Sequence, residues 1–197
     1  MESQATLILA STSPRRQEIL TALGLTFVVA VVDVDERRLP HETAEQMVLR
    51  LALAKAEAAA SAHFVIGADT AVIAGDKIFG KPQDQEEAVA MLLSLAGRGH
   101  CVLTGVALLG PQGVQTALSA TEVYFREISR DEAVAYWQSG EPRDKAGAYG
   151  IQGLGGIFVE RIEGSYSGVV GLPIYETTQL LQNAGIGVLT KQTDHDG

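Results

Sequence analysis

Two adjacent arginines follow a run of hydroxyl residues near the start of the chain, in the stretch Ser11-Thr12-Ser13-Pro14-Arg15-Arg16. Ser13 suits the N-cap of a helix and Pro14 its first position, because a cap hydroxyl accepts a free N–H and proline has none to offer. Cations at a helix N-terminus are unfavourable unless an anion joins them. The stretch therefore predicts a phosphate-binding turn between a strand and a helix. A capped surface helix with two solvated arginines is the alternative interpretation.

A carboxylate and a lysine interrupt two apolar segments further along the chain. Asp69 lies in the middle of the strand-like residues 64–73, where burial without a partner would cost several kcal/mol. It needs a metal, a base or several N–H donors, unless it ends the strand and caps a turn. Lys55 falls on the apolar face of the helix predicted over residues 43–60. It either extends to solvent or meets an anion.

A second lysine, Lys81, ends a segment that has the spacing of a P-loop and begins at Gly75. The next residue is Pro82, which offers no hydroxyl to magnesium and no N–H to phosphate. The segment instead predicts a hairpin with its turn at Gly75-Asp76, so we exclude a P-loop. Because the hairpin brings the two segments together, Lys81 shares a pocket with Asp69 or is a solvated turn lysine.

Residues 144–156 are rich in glycine, with five glycines in the ten residues from Gly147 to Gly156. Such a backbone can approach a ligand closely or turn sharply. Phe158 occupies the last position of the pattern Gly-x-Gly-x-x-Gly when Gly153 and Gly155 are aligned, so a dinucleotide-binding fold is not indicated. A flexible connector is the alternative interpretation.

The overall composition limits the class of protein. The chain has 197 residues, 46% of them hydrophobic, and a formal net charge of -9. This acidity argues against a nucleic-acid groove, and no apolar run approaches the roughly 18 residues of a membrane span. The first residues lack a secretory signal, and Cys101 alone cannot form an internal disulfide. We therefore expect a cytoplasmic protein whose anionic ligand binds in a local basic pocket.

Strand and helix patterns alternate early, and the middle of the chain is rich in strands. This order predicts an α/β fold with a twisted mixed sheet flanked by helices, formed by one domain over residues 1–189 and followed by a disordered tail at 190–197. We predict strands over residues 7–10, 27–32, 64–73, 101–109, 114–128 and 157–162. Helices are expected after Ser13, over 43–60, from Asp84 to Gly97, over 129–140 and from Pro173, with a polar loop over 164–171.

Four motifs in this order resemble the Maf family of nucleoside triphosphate pyrophosphatases, and the likeness covers nearly the whole chain. They are Ser11-x-Ser13-Pro14-Arg15-Arg16, Gly67-Ala68-Asp69-Thr70, Gly80-Lys81-Pro82 and the run from Asp144 to Gly153. The resemblance implies an inosine-triphosphatase-like (Maf/Ham1) fold and a homodimer. It also implies cleavage between the α- and β-phosphates with a divalent metal cation, Mg²⁺ or Mn²⁺.

The resemblance also implies roles for individual residues. Arg15, Thr70 and Gln152 match the subgroup that acts on dTTP and UTP, whereas the subgroup that acts on 7-methyl-GTP is expected to carry Trp, Gln and Glu there. Asp69 would be the proton acceptor, and Asp69 and Glu36 would hold the metal, although the neighbouring Asp35 could be the carboxylate that matters. The remaining implied site residues are Ser11, Ser13, Arg16, Lys55 and Lys81, which would bind the substrate. Glu36 and Lys81 are also assigned to catalysis.

The chemistry of these residue types agrees with a triphosphate substrate. Such a substrate carries roughly four negative charges, which cations and a hard metal neutralise during hydrolysis. The amide of Gln152 has both a donor and an acceptor, which suits the imide edge of uracil or thymine. The family is also associated with nucleotide house-cleaning and with arrest of cell division. Three alternatives therefore remain: a nucleotide-binding regulator of division or septum formation without turnover, a 7-methyl-GTP pyrophosphatase and a phosphomonoesterase.

Overall fold

A seven-stranded mixed sheet forms the centre of the computed structural model, which describes residues 7–61 and 63–189. The predicted tail at 190–197 lies outside the described residues. The strand order is β2-β1-β3-β5-β6-β7, with β4 also paired to β3. The strands are β1 (Leu7–Leu9), β2 (Phe27–Val29), β3 (Phe64–Ala74), β4 (Lys77–Phe79), β5 (Gly99–Gly110), β6 (Gly113–Phe125) and β7 (Val159–Glu163).

Six α-helices flank this sheet within the described part of the chain. They are α1 (Pro14–Ala22), α2 (Ala44–Ala58), α3 (Gln85–Leu95), α4 (Arg130–Gln138), α5 (Tyr166–Val170) and α6 (Ile174–Asn183). Short 3₁₀ turns lie at Glu141–Asp144, Ala146–Ala148 and Leu154–Phe158. The predicted mixed sheet flanked by helices is confirmed.

Several helix starts are where the sequence predicts them. Thr43 accepts a hydrogen bond from the Gln46 amide while the Gln46 side chain accepts one from Thr43, which is a complete capping box. Ser129 caps α4 in the same way. Ser13 occupies the N-cap position of α1, as the sequence predicts, but its hydroxyl makes no capping hydrogen bond.

Several predicted boundaries differ from the structure, and four of these differences have a clear physical cause. Strand β2 ends at Val29, not residue 32, because its neighbour β1 ends at Leu9. Strand β6 ends at Phe125, not residue 128, because its partner β5 begins at Gly99. Strand β7 begins at Val159, not residue 157, because a 3₁₀ turn precedes it. The loop predicted over 164–171 contains α5, whose Ser165 hydroxyl caps the Gly168 amide.

An interruption at one edge of β3 is the feature of the sheet that matters for the site. Strand β1 pairs in parallel with β3 up to Ile66, and β4 pairs with β3 only from Val72 onwards. No described strand pairs with β3 on this side at residues 67–71. The turn that follows β1 therefore lies beside Asp69 and Thr70, which occupy this interval.

Helix α2 packs unusually close to one face of the sheet, because two glycines lie beneath it. A Cβ at Gly67 would overlap the carbonyl oxygen of Ala52 and lie 2.8 Å from the Ala56 nitrogen. A Cβ at Gly105 would lie 2.6 Å from the carbonyl oxygen of Val48. Gly105 pairs with Asp69 across the sheet, so the close approach occurs directly beside this carboxylate.

Replacing Gly67 by alanine should lower the free energy of unfolding by about 3 kcal/mol, because the added methyl group must displace the backbone of α2. Gly80→Ala is the matched control, since a Cβ there meets nothing within 4 Å. Urea denaturation of both variants measures the difference. Equal stability of Gly67→Ala and the wild type would contradict the close packing of α2.

Candidate active site

One cleft at the interrupted edge of β3, with a volume of about 970 Å³, contains every site residue predicted from the sequence. These residues come from the turn after β1, helix α1, the loop before α2, α2 itself, β3, the segment after β4 and the glycine-rich loop. Those that line the cleft are Ser11, Ser13, Arg15, Arg16, Glu36, Lys55, Asp69, Thr70, Lys81 and Gln152.

Lys55 of α2 meets two carboxylates at the floor of the cleft. Its Nζ lies 2.6 Å from Oδ1 of Asp69 and 2.7 Å from Oε1 of Glu36. Lys55 and Asp69 each have only 13% of the side chain exposed, whereas Glu36 is half exposed. Of the two fates that the sequence allows for Lys55, contact with an anion is therefore the observed one.

Burial and charge act in opposite directions on the two carboxyl groups. Burial raises the pKa of Asp69 above its ordinary value, although the charge of Lys55 opposes the shift. Burial also acts to raise the pKa of Glu36, but the hydrogen bond and charge of Lys55 outweigh it, so this pKa is lowered. The more buried of the two carboxylates is therefore the better proton acceptor.

Asp35 and Glu36, the two carboxylates that the sequence leaves open, point in different directions. Asp35 is exposed and bonds the guanidinium of Arg37, which lowers its pKa to about 2. Glu36 faces Lys55 in the cleft. Glu42, which the sequence analysis missed, helps to hold this loop: its carboxylate binds Arg50, which also donates to the carbonyl oxygen of Arg37.

The guanidinium of Arg16 is bound on several sides in the wall of the cleft. It donates to the carbonyl oxygen of Gly171 at 2.8 Å, to Oγ of Ser11 at 3.1 Å and to Oγ1 of Thr70 at 3.4 Å. Burial lowers its pKa, and the charge of Asp69 opposes the shift. These contacts fix a cation at the start of α1, where an anion would be stabilised.

A chain of hydrogen bonds continues from Arg16 through two threonines. Thr104 of β5 is completely buried and donates to the carbonyl oxygen of Gly168 at 2.8 Å, while the hydroxyls of Thr70 and Thr104 are 2.9 Å apart. Because the Thr104 hydroxyl donates its proton to the carbonyl oxygen of Gly168, the Thr70 hydroxyl donates to Thr104 and accepts from Arg16. Thr104 was missed because its role depends on the pairing of β5 with β3.

An ion-pair cluster and the glycine-rich loop also line the cleft. Asp144 accepts from Nη1 of Arg15 at 3.0 Å and from Nζ of Lys145 at 2.7 Å. Gln152 is exposed on the loop between Gly150 and Gly153, and Lys81 follows β4. The charge of Lys81 contributes to the low pKa of Glu36.

The carboxylates also bear on metal binding. Among residues 7–61 and 63–189, no group of three or more His, Cys, Asp or Glu side chains forms a preformed metal site. Mg²⁺ usually binds through one or two carboxylates together with substrate phosphates and water, so Asp69 and Glu36 fit this cation as a pair.

No helix in the described part of the chain is long and apolar enough to cross a membrane.

Replacing Lys55 by methionine should lower the free energy of unfolding by about 3 kcal/mol near neutral pH, because it leaves Asp69 buried without its cation. The pKa of Asp69 should then rise further, so the folded state would bind its proton more tightly than the unfolded chain does. The stability deficit should therefore shrink as the pH falls towards the ordinary pKa of aspartate.

Urea denaturation across this pH range measures the effect. Lys77→Met is the control. Lys77 is exposed, with its Nζ 4.7 Å from the centre of the Phe79 ring, and it also lines the cleft, so this substitution removes the same charge there. A deficit for Lys55→Met that is independent of pH would contradict the pairing with Asp69.

Comparisons with known proteins identify relatives of this chain. A protein named dTTP/UTP pyrophosphatase from Hahella chejuensis is 52% identical over 188 residues, covering 92% of this chain and 94% of its own. Proteins of the same name from Methylobacillus flagellatus and Shigella dysenteriae are 50% and 49% identical, covering 92% and 97% of this chain and 94% and 98% of their own. The solved structure of the Staphylococcus aureus Ham1 protein matches 64% of this chain and 72% of its own at 20% identity, with a TM-score of 0.44.

The family comparison covers almost all of the described residues. Residues 6–184 match the family described as Maf, Maf-like protein. This range includes all four sequence motifs and every residue that lines the cleft. On this match, and on relatives about half identical over nearly their whole length, the chain belongs to the Maf family.

Proposed function

We propose that this protein hydrolyses dTTP and UTP between the α- and β-phosphates, giving the nucleoside monophosphate and pyrophosphate. Its membership of the Maf family and the shared name of the three relatives support this activity. The observation that carries the proposal is the cleft itself. Seven Lys and Arg side chains, among them Arg15, Arg16, Lys55 and Lys81, line one cavity of a chain whose net charge is -9.

The cations account for binding and charge neutralisation. A triphosphate is strongly anionic, and positioned cations stabilise the charge that moves onto its bridging oxygen during hydrolysis. Arg16 is pre-oriented by its contacts with Gly171 and Ser11, so it needs little reorganisation when phosphate binds. Lys55 and Lys81 line the same cavity as Arg16.

Asp69 is the proton acceptor in this proposal. A water molecule attacks the α-phosphorus, its proton passes to the Asp69 carboxylate, and the bond from the α-phosphorus to the α,β-bridging oxygen breaks as pyrophosphate leaves. Burial raises the pKa of Asp69 towards the range in which a carboxylate is an effective base. Lys55 keeps this carboxylate oriented at 2.6 Å.

Asp69 and Glu36 would hold the divalent cation, Mg²⁺ or Mn²⁺. When bound, this cation supplies further neutralisation of the phosphate charge. The two side chains are already neighbours, because both contact the same nitrogen of Lys55.

Gln152 is the residue that recognises the base in this proposal. It is exposed and lines the same cleft as the phosphate-binding side chains of α1 and α2. Its amide offers one donor group and one acceptor, which complement the carbonyl and N–H groups of uracil or thymine. Arg15 and Thr70 are the other two residues that the resemblance assigns to the dTTP/UTP subgroup.

Replacing Asp69 by asparagine should lower turnover of UTP by about 1,000-fold, because the isosteric amide cannot accept the proton. Binding of UTP should remain within a few-fold of the wild type. Pyrophosphate release measures turnover, and calorimetry measures binding. Asp35→Asn is the control, since Asp35 is a carboxylate bound to Arg37 outside the cleft. Turnover by Asp69→Asn at the wild-type rate would contradict the assignment.

Replacing Gln152 by glutamate should lower kcat/KM for UTP by about tenfold, because a carboxylate loses the donor that the base carbonyl needs. The same change should favour a base that offers N–H groups, so activity with 7-methyl-GTP should increase relative to UTP. A panel of nucleoside triphosphates measures both effects. A wild-type enzyme that prefers 7-methyl-GTP would contradict the proposed substrate.

The same panel separates the remaining alternatives. Binding of UTP without product release would favour a nucleotide-binding regulator, and release of orthophosphate would favour a phosphomonoesterase. The homodimer, the cytoplasmic location and the single domain over residues 1–189 stay predictions.

A further inference from the structure

The glycine-rich loop that carries Gln152 is wrapped around a single carboxylate. Glu141, which follows α4, accepts hydrogen bonds from the Leu154 amide at 2.8 Å and from the Gly155 amide at 3.0 Å. Its Oε1 also accepts from the hydroxyl of Tyr136 at 2.7 Å. The loop is therefore held in one shape and is not the flexible connector that its composition allows.

Tyr136 links this carboxylate to the other end of the loop. Its side chain is 95% buried, and its hydroxyl accepts from the Gly150 amide at 3.1 Å while it donates to Glu141. Amide groups on both sides of Gln152 are thus bound to the same pair of side chains.

The glycines of the loop are required by this close approach. A Cβ at Gly153 would overlap the Glu141 carboxylate, and one at Gly155 would lie 2.5 Å from the Tyr136 hydroxyl. A Cβ at Gly150 would lie 2.7 Å from Cε of Lys145, whose Nζ donates to the backbone carbonyl of Glu141. The backbone therefore reaches Glu141 only because side chains are absent.

A carboxylate is the only common side-chain group that satisfies all three partners here. The Tyr136 hydroxyl and the amides of Leu154 and Gly155 are all donors, and the two carboxylate oxygens accept from each of them. Burial acts to raise the pKa of Glu141, but these hydrogen bonds outweigh it and lower the pKa, so the group is ionised near neutral pH. A glutamine side chain would place its NH₂ group against at least one of these three donors in either orientation of the amide.

We propose that Glu141, together with Tyr136, is a positioning residue for base selection: it fixes the backbone on both sides of Gln152 and so sets where the Gln152 amide meets the base of a bound pyrimidine nucleotide. This inference rests on the proposed function. Neither side chain lines the cleft, so both act through the loop. Their loss should therefore weaken discrimination between bases more than it weakens binding of the triphosphate.

The test compares binding of the α,β-imido analogues of UTP and CTP, which share ribose and triphosphate, resist the proposed cleavage and differ at the base edge. We expect the wild type to bind the UTP analogue more tightly. In Glu141→Gln this preference should fall by about tenfold. Tyr136→Phe should shift it in the same direction. Glu160→Gln is the matched control, because Glu160 is exposed on β7 and the substitution removes the same charge.

A double-mutant cycle with Gln152→Ala separates positioning from a structural role. If Glu141 acts through Gln152, Glu141→Gln should change the preference no further in the Gln152→Ala background. Hydrogen exchange should also be faster at the Leu154 and Gly155 amides in Glu141→Gln, and this measurement needs no nucleotide.

Two results would overturn the inference. One is equal weakening of both analogues by Glu141→Gln, and the other is an unchanged effect of this substitution in the Gln152→Ala background. Failure of the proposed function has a different signature: a wild type that prefers the UTP analogue but releases no pyrophosphate from UTP. In that case base selection by the loop would stand without the reaction.

Discussion

The site depends on one constraint, which is the close contact between helix α2 and the sheet. Because Gly67 and Gly105 leave no side chain beneath the helix, its backbone lies directly on strands β3 and β5. Lys55, in the last turn of α2, is thereby brought to 2.6 Å from Asp69. The same ammonium group also binds Glu36, which lies in the loop before the helix. One lysine therefore holds together two carboxylates that are far apart in sequence.

The interrupted edge of β3 explains why these groups share a cavity with the arginines of α1. Between the end of β1 and the start of β4, the side chains of Asp69 and Thr70 point to opposite faces of the sheet. Asp69 meets α2 on one face, and Thr70 meets Arg16 on the other. A cleft at this edge therefore reaches groups that an unbroken sheet would keep apart.

Local sequence signals predicted most of the elements, because a capping box such as Thr43 with Gln46 involves neighbouring residues only. Most of the ten predicted site residues came from the motifs and the family resemblance, whereas helical periodicity singled out Lys55. No local pattern could have placed Gln152 and Arg15 in one cleft. Thr104 and Glu141 were missed because their roles depend on strand register and on loop packing, which arise only in the folded chain. The predicted ends of β2 and β6 were wrong for the same reason, because each strand ends where its neighbouring strand ends.

Segments from across the chain line one cleft, and we propose that this cleft holds one pyrimidine triphosphate. The decisive measurement is a crystal structure of the protein with the α,β-imido analogue of UTP and Mg²⁺. We expect the phosphates between Arg16, Lys55 and Lys81, with the uracil edge against Gln152. A nucleotide bound outside this cleft, or bound with its base beside Asp69, would contradict it.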